Sequence, residues 1–202
     1  MAGGKTDLTR TQRARREDIV AAAIAVIDTE GFAAASVDRI ARQADTIKGT
    51  VLYHFGTKDG ICAAVVDALY AQGAEFMEQR TQDTGPAGER LTARLRANLE
   101  FIRLHAAHIR AVQRILENAP HHRARIPDLV EPLSELLAAG QRSGEFAAFD
   151  PVVAAAAVRA IVDATASYLA HTDAADIDHL LSEIVRFIER ATASTRDGKQ
   201  QS

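Results

Sequence analysis

Apolar residues in this 202-residue chain recur three and four positions apart in one stripe after another, and no stretch alternates apolar with polar residues as a half-buried strand would. The stripes include Val20, Ala23, Ile24 and Ile27, then Val37, Ile40, Ala41 and Ala44, then Ile61, Val65, Leu69 and Phe76. Beyond residue 90 they continue as Leu91, Leu95, Leu99, Ile102 and Ile109, then Leu133, Leu136 and Leu137, and finally Ile177, Leu180, Leu181, Ile184, Val185 and Ile188. A helical period sustained along the whole length predicts an all-α fold. Composition agrees: aromatic residues make up 5%, Trp is absent, and alanine, the best helix former, is abundant.

The breaks between stripes set the expected organisation. Glu30-Gly31 ends the first helix, with Gly31 as a left-handed C-cap. Ser36 is the N-cap of a second, short helix, and Asp45-Thr46 separates it from a third running from about Lys48 to Phe55. Thr57 caps a longer helix ending near Arg80. The polar stretch Thr81 to Gly88, containing Gly85 and Pro86, is the expected boundary. Pro120 and Pro127 bracket another break, and Asp150-Pro151 starts a helix with a cap followed by a proline at the first helical position. Asp176 caps the last helix, and the polar tail begins near Thr195. The expected division is therefore 1–56 as an N-terminal arm with three short helices, 57–80 as a linking helix, and 81–202 as a larger helical bundle.

Three short helices with a tight turn between the second and third form a helix-turn-helix, whose third helix enters the major groove while the second crosses the backbone. The residues suit those tasks. Gly49 permits close backbone approach, Thr50 offers a hydroxyl and a methyl to base edges, and Tyr53 and His54 can reach phosphate oxygens. Lys48 adds a cation, and Ser36 and Lys58 stand at helix starts where backbone N–H groups favour anions. The arm supplies Lys5, Arg10, Arg13, Arg15 and Arg16 against Asp7, a local net of +4 on a chain whose formal net charge is −3. Double-stranded DNA is thus the expected macromolecular partner, with Arg16, Ser36, Lys48, Gly49, Thr50, Tyr53, His54 and Lys58 as its contacts.

The stretch Phe32 to Ile61 resembles the N-terminal domain of TetR-family transcriptional repressors. The shared positions are Phe32, Ser36-Val37, Ile40-Ala41, Gly49-Thr50, Tyr53-His54-Phe55 and Lys58. The chain departs from the family where the turn usually reads Gly-Val-Ser and here reads Asp45-Thr46-Ile47, and where Leu52 replaces a common tyrosine. With Ile47 in place of the capping serine, Asp45 or Thr46 is the expected cap of the third helix, shifting its start by a residue or so. The resemblance implies a homodimer formed by the last two long helices, a palindromic operator with half-site centres about 34–36 Å or a longer spacing apart, and release by a small-molecule effector. The final helix is apolar on more than one face, as a helix with two partners should be.

Polar groups on the apolar stripes of the bundle, Gln72, Asn98, His105, Thr165 and Tyr168, are the candidate effector contacts. An apolar cavity with a few such groups accepts an apolar or amphipathic small molecule. The single cysteine, Cys62, excludes an internal disulfide and a CxxC site, and reads as a buried structural thiol. His105, His108, His121 and His122 have metal-ligand spacing, but Arg103, Arg110, Arg123 and Arg125 surround them, so neither metal nor cofactor is expected. No nucleophile elbow or phosphate loop occurs, so an enzyme is not expected. The longest charge-free apolar run, Val152 to Val158, is far short of a membrane span, and no secretory h-region follows the N-terminus. A cytoplasmic location follows from these features. Two rivals remain at the level of sequence: a helical small-molecule-binding protein or enzyme without a DNA partner, and a transcriptional activator of the same fold.

Overall fold

The computed structural model describes residues 9–171 and 177–194. Lys5, Asp7, Asp176 and the tail from Thr195 lie outside the described residues. Nine α-helices are found among the described residues: α1 (Arg10–Glu30), α2 (Val37–Gln43), α3 (Lys48–Phe55), α4 (Lys58–Arg80), α5 (Ala87–Leu104), α6 (Ala106–Asn118), α7 (Glu131–Arg142), α8 (Pro151–His171) and α9 (Ile177–Thr192). A 3₁₀ turn, Pro120–Arg125, follows α6. The all-α expectation holds.

Packing divides the chain into two compact units that do not follow chain order. One comprises Met1–Tyr70 with Ala107–Ile126, the other Ala71–Ala106 with Pro127–Ser202. The boundaries expected near residues 56 and 81 therefore differ from this division. The physical reason is that α6 leaves its neighbours in sequence and packs with α1 and α4. Arg110 donates from Nε and Nη2 to the two carboxylate oxygens of Asp28 at 2.6 and 2.7 Å. Arg114 Nη1 donates to the carbonyls of Ile27 and Asp28 at 2.5 and 2.6 Å. These are carbonyls of the last turn of α1, which has no basic residue of its own, so Arg114 brings a cation to the negative end of that helix. Buried His108 donates from Nε2 to the Val65 carbonyl of α4 at 2.8 Å.

In this first unit α1 begins with a reciprocal capping box. Gln12 N donates to Thr9 Oγ1 and Thr9 N to Gln12 Oε1. Its buried face is Ile19, Ala22, Ala23, Val26 and Ile27. The stripe read from sequence is thus rotated by one position, since Val20 and Ile24 are only half-buried. Gly31 ends the helix at φ +90°, as expected of it. Cys62 is buried, and desolvation pushes its thiol up to about 11, the behaviour of a structural cysteine.

In the second unit α5 lies against α7, α8 and α9, and α7 against α8. Glu145, in the turn after α7, caps α5 from a distance: its carboxylate accepts from Ala87 N at 3.0 Å and Gly88 N at 2.9 Å, the first free donors of that helix. The Phe146 ring fills the space beside Gly140, where a β-carbon would stand 2.2 Å from the ring. Asp150 caps α8 through Val152 N and Val153 N, as its sequence position predicts. Pro151–Leu169 is long and apolar enough by length and composition to cross a bilayer. Its stripe Ala155, Val158, Val162 and Leu169 is buried in the unit, while Val152, Val153 and Tyr168 are exposed.

Candidate nucleic-acid interface

The turn between α2 and α3 fixes everything that follows it. Ala44 N donates to Ile40 O and Thr46 N to Ala41 O, while Asp45 takes φ +48°. This is a helix C-terminus closed around a left-handed residue, the conformation glycine adopts most readily and aspartate tolerates. Asp45 therefore ends α2 and does not cap α3. The cap position of α3 is Ile47, with extended backbone (φ −95°, ψ 152°) and no side-chain cap bond. The expectation that Asp45 or Thr46 would cap α3 is corrected accordingly. The helix still starts at Lys48, because the left-handed turn absorbs the change in residue type without inserting or deleting a position.

Buried Val51 anchors α3 from one side. Opposite it, Lys48, Gly49, Leu52 and Tyr53 form one exposed strip, with Ile47 at its head. Tyr53 is 75% exposed and Ile47 72%. Large apolar groups held in water on a helix of eight residues mark a contact surface. Gly49 leaves this strip open, since a β-carbon there would meet nothing closer than Ile47 Cδ1 at 3.9 Å. Thr50 and His54 are half-buried on its flank. The His54 ring meets Tyr53 edge-on at 5.1 Å, and its pKa is lowered, first by partial burial and then by nearby Arg16 and Arg15. A neutral imidazole beside a phosphate can donate one hydrogen bond without adding charge.

Ser36 Oγ accepts from Arg39 N at 3.2 Å, capping α2 as expected, and the residue remains exposed. Arg39 in turn grips Glu30 through Nε and Nη2, tying the start of α2 to the end of α1. Lys48 Nζ pairs with Asp38 Oδ2 at 2.8 Å, both side chains about half exposed. Such a pair is worth at most about 1 kcal/mol in water, so a phosphate can compete for Lys48.

Two of the expected contacts, Arg16 and Lys58, are half-buried and bonded within the first unit. Arg16 Nη1 donates to the His54 carbonyl at 2.5 Å, and its guanidinium lies 4.3 Å from the Phe55 ring centre. It therefore caps the C-terminus of α3 from α1. Lys58 Nζ donates to the Phe32 carbonyl at 2.5 Å and sits 4.0 Å over the Phe32 ring, fastening the first turn of α4 to the segment before α2. Arg16 thus fixes the end of α3, and Lys58 the start of α4 that follows it. Sequence reasoning had no signal for this, because the partners are backbone carbonyls 38 and 26 residues away. It also missed Ile47 and Leu52 as exposed members of the strip, although both were visible as departures from the family pattern.

The five candidate effector residues all lie in the second unit. His105 stacks on Phe101 at 4.3 Å, with Phe76 edge-on to both rings, and burial lowers its pKa. Asn98 is half-buried, Gln72 and Tyr168 are exposed, and Thr165 Oγ1 donates to the Ile161 carbonyl of its own helix at 2.8 Å. A cavity of about 550 Å³ in this unit is lined by other residues, among them Leu91, Thr92, Glu145, Phe146, Glu189 and Thr192.

Comparisons with known proteins agree with this geometry. Residues 19–65 match the family model described as bacterial regulatory proteins, tetR family, and residues 88–186 match that of a tetracyclin repressor-like C-terminal domain. The A-factor receptor protein of Streptomyces griseus is 29% identical over 140 residues, 68% of this chain and 48% of its own length. The HTH-type transcriptional regulator BetI 2 of Chromohalobacter salexigens is 36% identical over a match covering 37% of this chain and 47% of its own. The chain thus spans about half the length of the curated relatives it matches. Among solved structures, a bacterial regulatory protein in the tetR family from Rhodococcus RHA1 superposes with a TM-score of 0.78 over 90% of this chain and 98% of that one, at 22% identity.

Proposed function

The chain belongs to the TetR family of bacterial transcriptional regulators, and from that premise we propose that it is a ligand-responsive repressor that binds a palindromic DNA operator as a homodimer. The observation that carries this reading is the exposed strip of α3, which presents a cation, an open backbone and apolar groups that nothing in the first unit covers. In the proposed complex α3 enters the major groove. Ser36, Lys48, Gly49, Thr50, Tyr53 and His54 contact DNA, and Arg16 and Lys58 position the helix. Exposed Arg10 and Arg13 of α1 add attraction to the backbone. A cytoplasmic location follows from a DNA partner.

The proposed dimer face is formed by α8 and α9. Val153, Ala156, Ala157, Ala160 and Ala164 leave one side of α8 exposed, apolar and low in profile, and Phe187 stands 62% exposed on α9. Small residues let two helices approach closely, and an exposed Phe is a natural anchor for an interface. The opposite stripe of α8 is packed within the unit, and Arg159 pairs with Asp163 at mid-helix, so a protein partner suits this helix better than a bilayer.

We place effector recognition in the second unit, with Gln72, Asn98, His105, Thr165 and Tyr168 as contacts and an apolar or amphipathic small molecule as ligand. Two observations support this. His105 sits in an aromatic group with Phe76 and Phe101, and one relative is named a receptor for A-factor. The effector acts by binding the conformation in which the two reading helices no longer match the operator, so effector and DNA weaken each other by the same factor. The test is footprinting of the full chain on the DNA upstream of its own gene. A protected palindrome, released by one compound from a panel of apolar and amphipathic molecules, is expected. Protection that no compound relieves argues against ligand response, and protection without two-fold symmetry argues against the dimer.

A further inference from the structure

The fold brings an aspartate together with a histidine pair 62 positions further along the sequence. Asp59 stands in the first turn of α4, and His121 and His122 occupy the 3₁₀ turn after α6, all within the first unit. His121 Nε2 lies 2.8 Å and His122 Nε2 3.0 Å from the same oxygen, Asp59 Oδ1. All three donor atoms are within 4.8 Å of one another, and the imidazole rings stack at 4.2 Å.

His122 makes this arrangement unusual. Its side chain is 2% exposed, yet Nε2 has no aligned hydrogen-bond partner. The approach to Asp59 is close enough for an ion pair but misdirected for a hydrogen bond. A buried polar nitrogen in that position is unfavourable unless something satisfies it. One carboxylate oxygen already engaged by His121 does so poorly, whereas a cation between the three atoms would satisfy all of them.

The neighbouring charges do not oppose this. Arg110 is held by Asp28 and Arg125 by Asp67, at 2.6 Å each, and Lys58 Nζ turns away to the Phe32 carbonyl. Arg123 is exposed. The carboxylate of the cluster is Asp59, which arrives from another helix.

We propose that Asp59, His121 and His122 form a binding site for a borderline divalent transition-metal ion of the zinc class. Two imidazoles and one carboxylate select Zn²⁺, Co²⁺ or Ni²⁺ over Mg²⁺ and Ca²⁺, which take oxygen ligands. Metal–ligand bonds of about 2.0–2.2 Å set the edges of a tetrahedron at about 3.3–3.6 Å, so the two short N···O distances must open by roughly half an ångström. The fourth position remains for water. Bound metal ties the first turn of α4 to the turn after α6. The site stands on its own geometry and does not depend on whether the chain binds DNA.

The test uses the untagged full chain, stripped with chelator, dialysed and titrated with Co²⁺ alone. The expected result is one equivalent of cobalt per chain with the strong visible absorption of a four-coordinate ion, displaced by Zn²⁺, and a higher Tm in Zn²⁺ than in Mg²⁺. Asp59→Asn and His121→Ala alter exposed side chains, and each should weaken cobalt binding by more than about tenfold with the apo-protein's circular dichroism unchanged. His122→Ala should abolish binding, and if its buried position prevents folding the two exposed variants decide the matter. Absence of visible bands in the parent chain, or bands that survive both Asp59→Asn and His121→Ala, overturns the proposal.

Discussion

The uncapped start of α3 gives a prediction whose size follows from the structure. Ile47 has the extended backbone of an N-cap residue but no side-chain oxygen, so the first N–H groups of the helix lack a local acceptor on that side chain. It is 72% exposed, so shortening it removes little buried area. Ile47→Ser places a hydroxyl where it can accept from the N–H of Gly49 or Thr50. A serine cap in place of a non-capping residue is worth typically ~1 kcal/mol, within about 0.5–2. For a chain of this length that corresponds to a rise in Tm of about 2–4 °C. Ile47→Ala separates the cap from the loss of the side chain, because alanine shortens the residue without supplying an acceptor. Urea titrations at fixed pH should rank Ser above Ala and above the parent, with unchanged m-values. If Ile47→Ser is no more stable than Ile47→Ala, the N-cap assignment at residue 47 is wrong and α3 starts elsewhere.

Other perturbations test the packing within each unit. Gly140→Ala sets a methyl 2.2 Å from the Phe146 ring and 2.9 Å from Ala87 Cβ, and should destabilise by about 1–3 kcal/mol despite alanine's better helix propensity. In a Phe146→Ala background the same change should become neutral or favourable, as read from denaturant midpoints. Arg110→Ala leaves the mostly buried Asp28 carboxylate without its bidentate partner. A loss of about 1–3 kcal/mol is expected in urea titrations, between the values for exposed and buried pairs, with Arg110→Lys intermediate. Glu145 has a carboxylate pKa below its usual value, chiefly because Gly88 N and Ala87 N donate to it, with Ser143 Oγ adding a third bond. A lowered folded pKa means its stabilisation is complete above the unfolded value near 4.5 and is lost as pH falls through the folded value. Tm measured from about pH 6 to about pH 3 should therefore fall less steeply for Glu145→Gln, which starts lower at neutral pH; identical slopes would remove Glu145 from the acid response.

Local signals in the sequence located most of the helices and the reading helix itself. Ser36, Gly31, Thr57 and Asp150-Pro151 announce their caps because a cap is satisfied within three or four residues. The capping box Thr9-x-x-Gln12, which sets the start of α1 at Arg10, is equally local. What sequence could not show is where long cations and distant carboxylates end up. The carbonyls of His54 and Phe32, to which Arg16 and Lys58 donate, are far from them in the chain. The return of α6 to the first unit depends on Asp28, Val65 and the end of α1, none of them near it in the chain. The carboxylate that meets the histidine pair after α6 is Asp59 on α4, distant in the chain. Asp45 shows a third case, in which a departure from the family residue is accommodated by a left-handed backbone rather than by a new cap.

The claim that α3 reads DNA is tested most directly by equilibrium binding of the full chain and two variants to a duplex selected from a randomised pool. Tyr53→Ala and Lys48→Ala each remove an exposed side chain from the strip, so neither should lower Tm appreciably. The account predicts that selection enriches a two-fold symmetric sequence. It further predicts that Tyr53→Ala weakens binding to it by about tenfold or more, and that Lys48→Ala reduces the slope of log affinity against log salt by about 1 per subunit. Enrichment of no symmetric sequence, or parental affinity and salt slope in both folded variants, contradicts it.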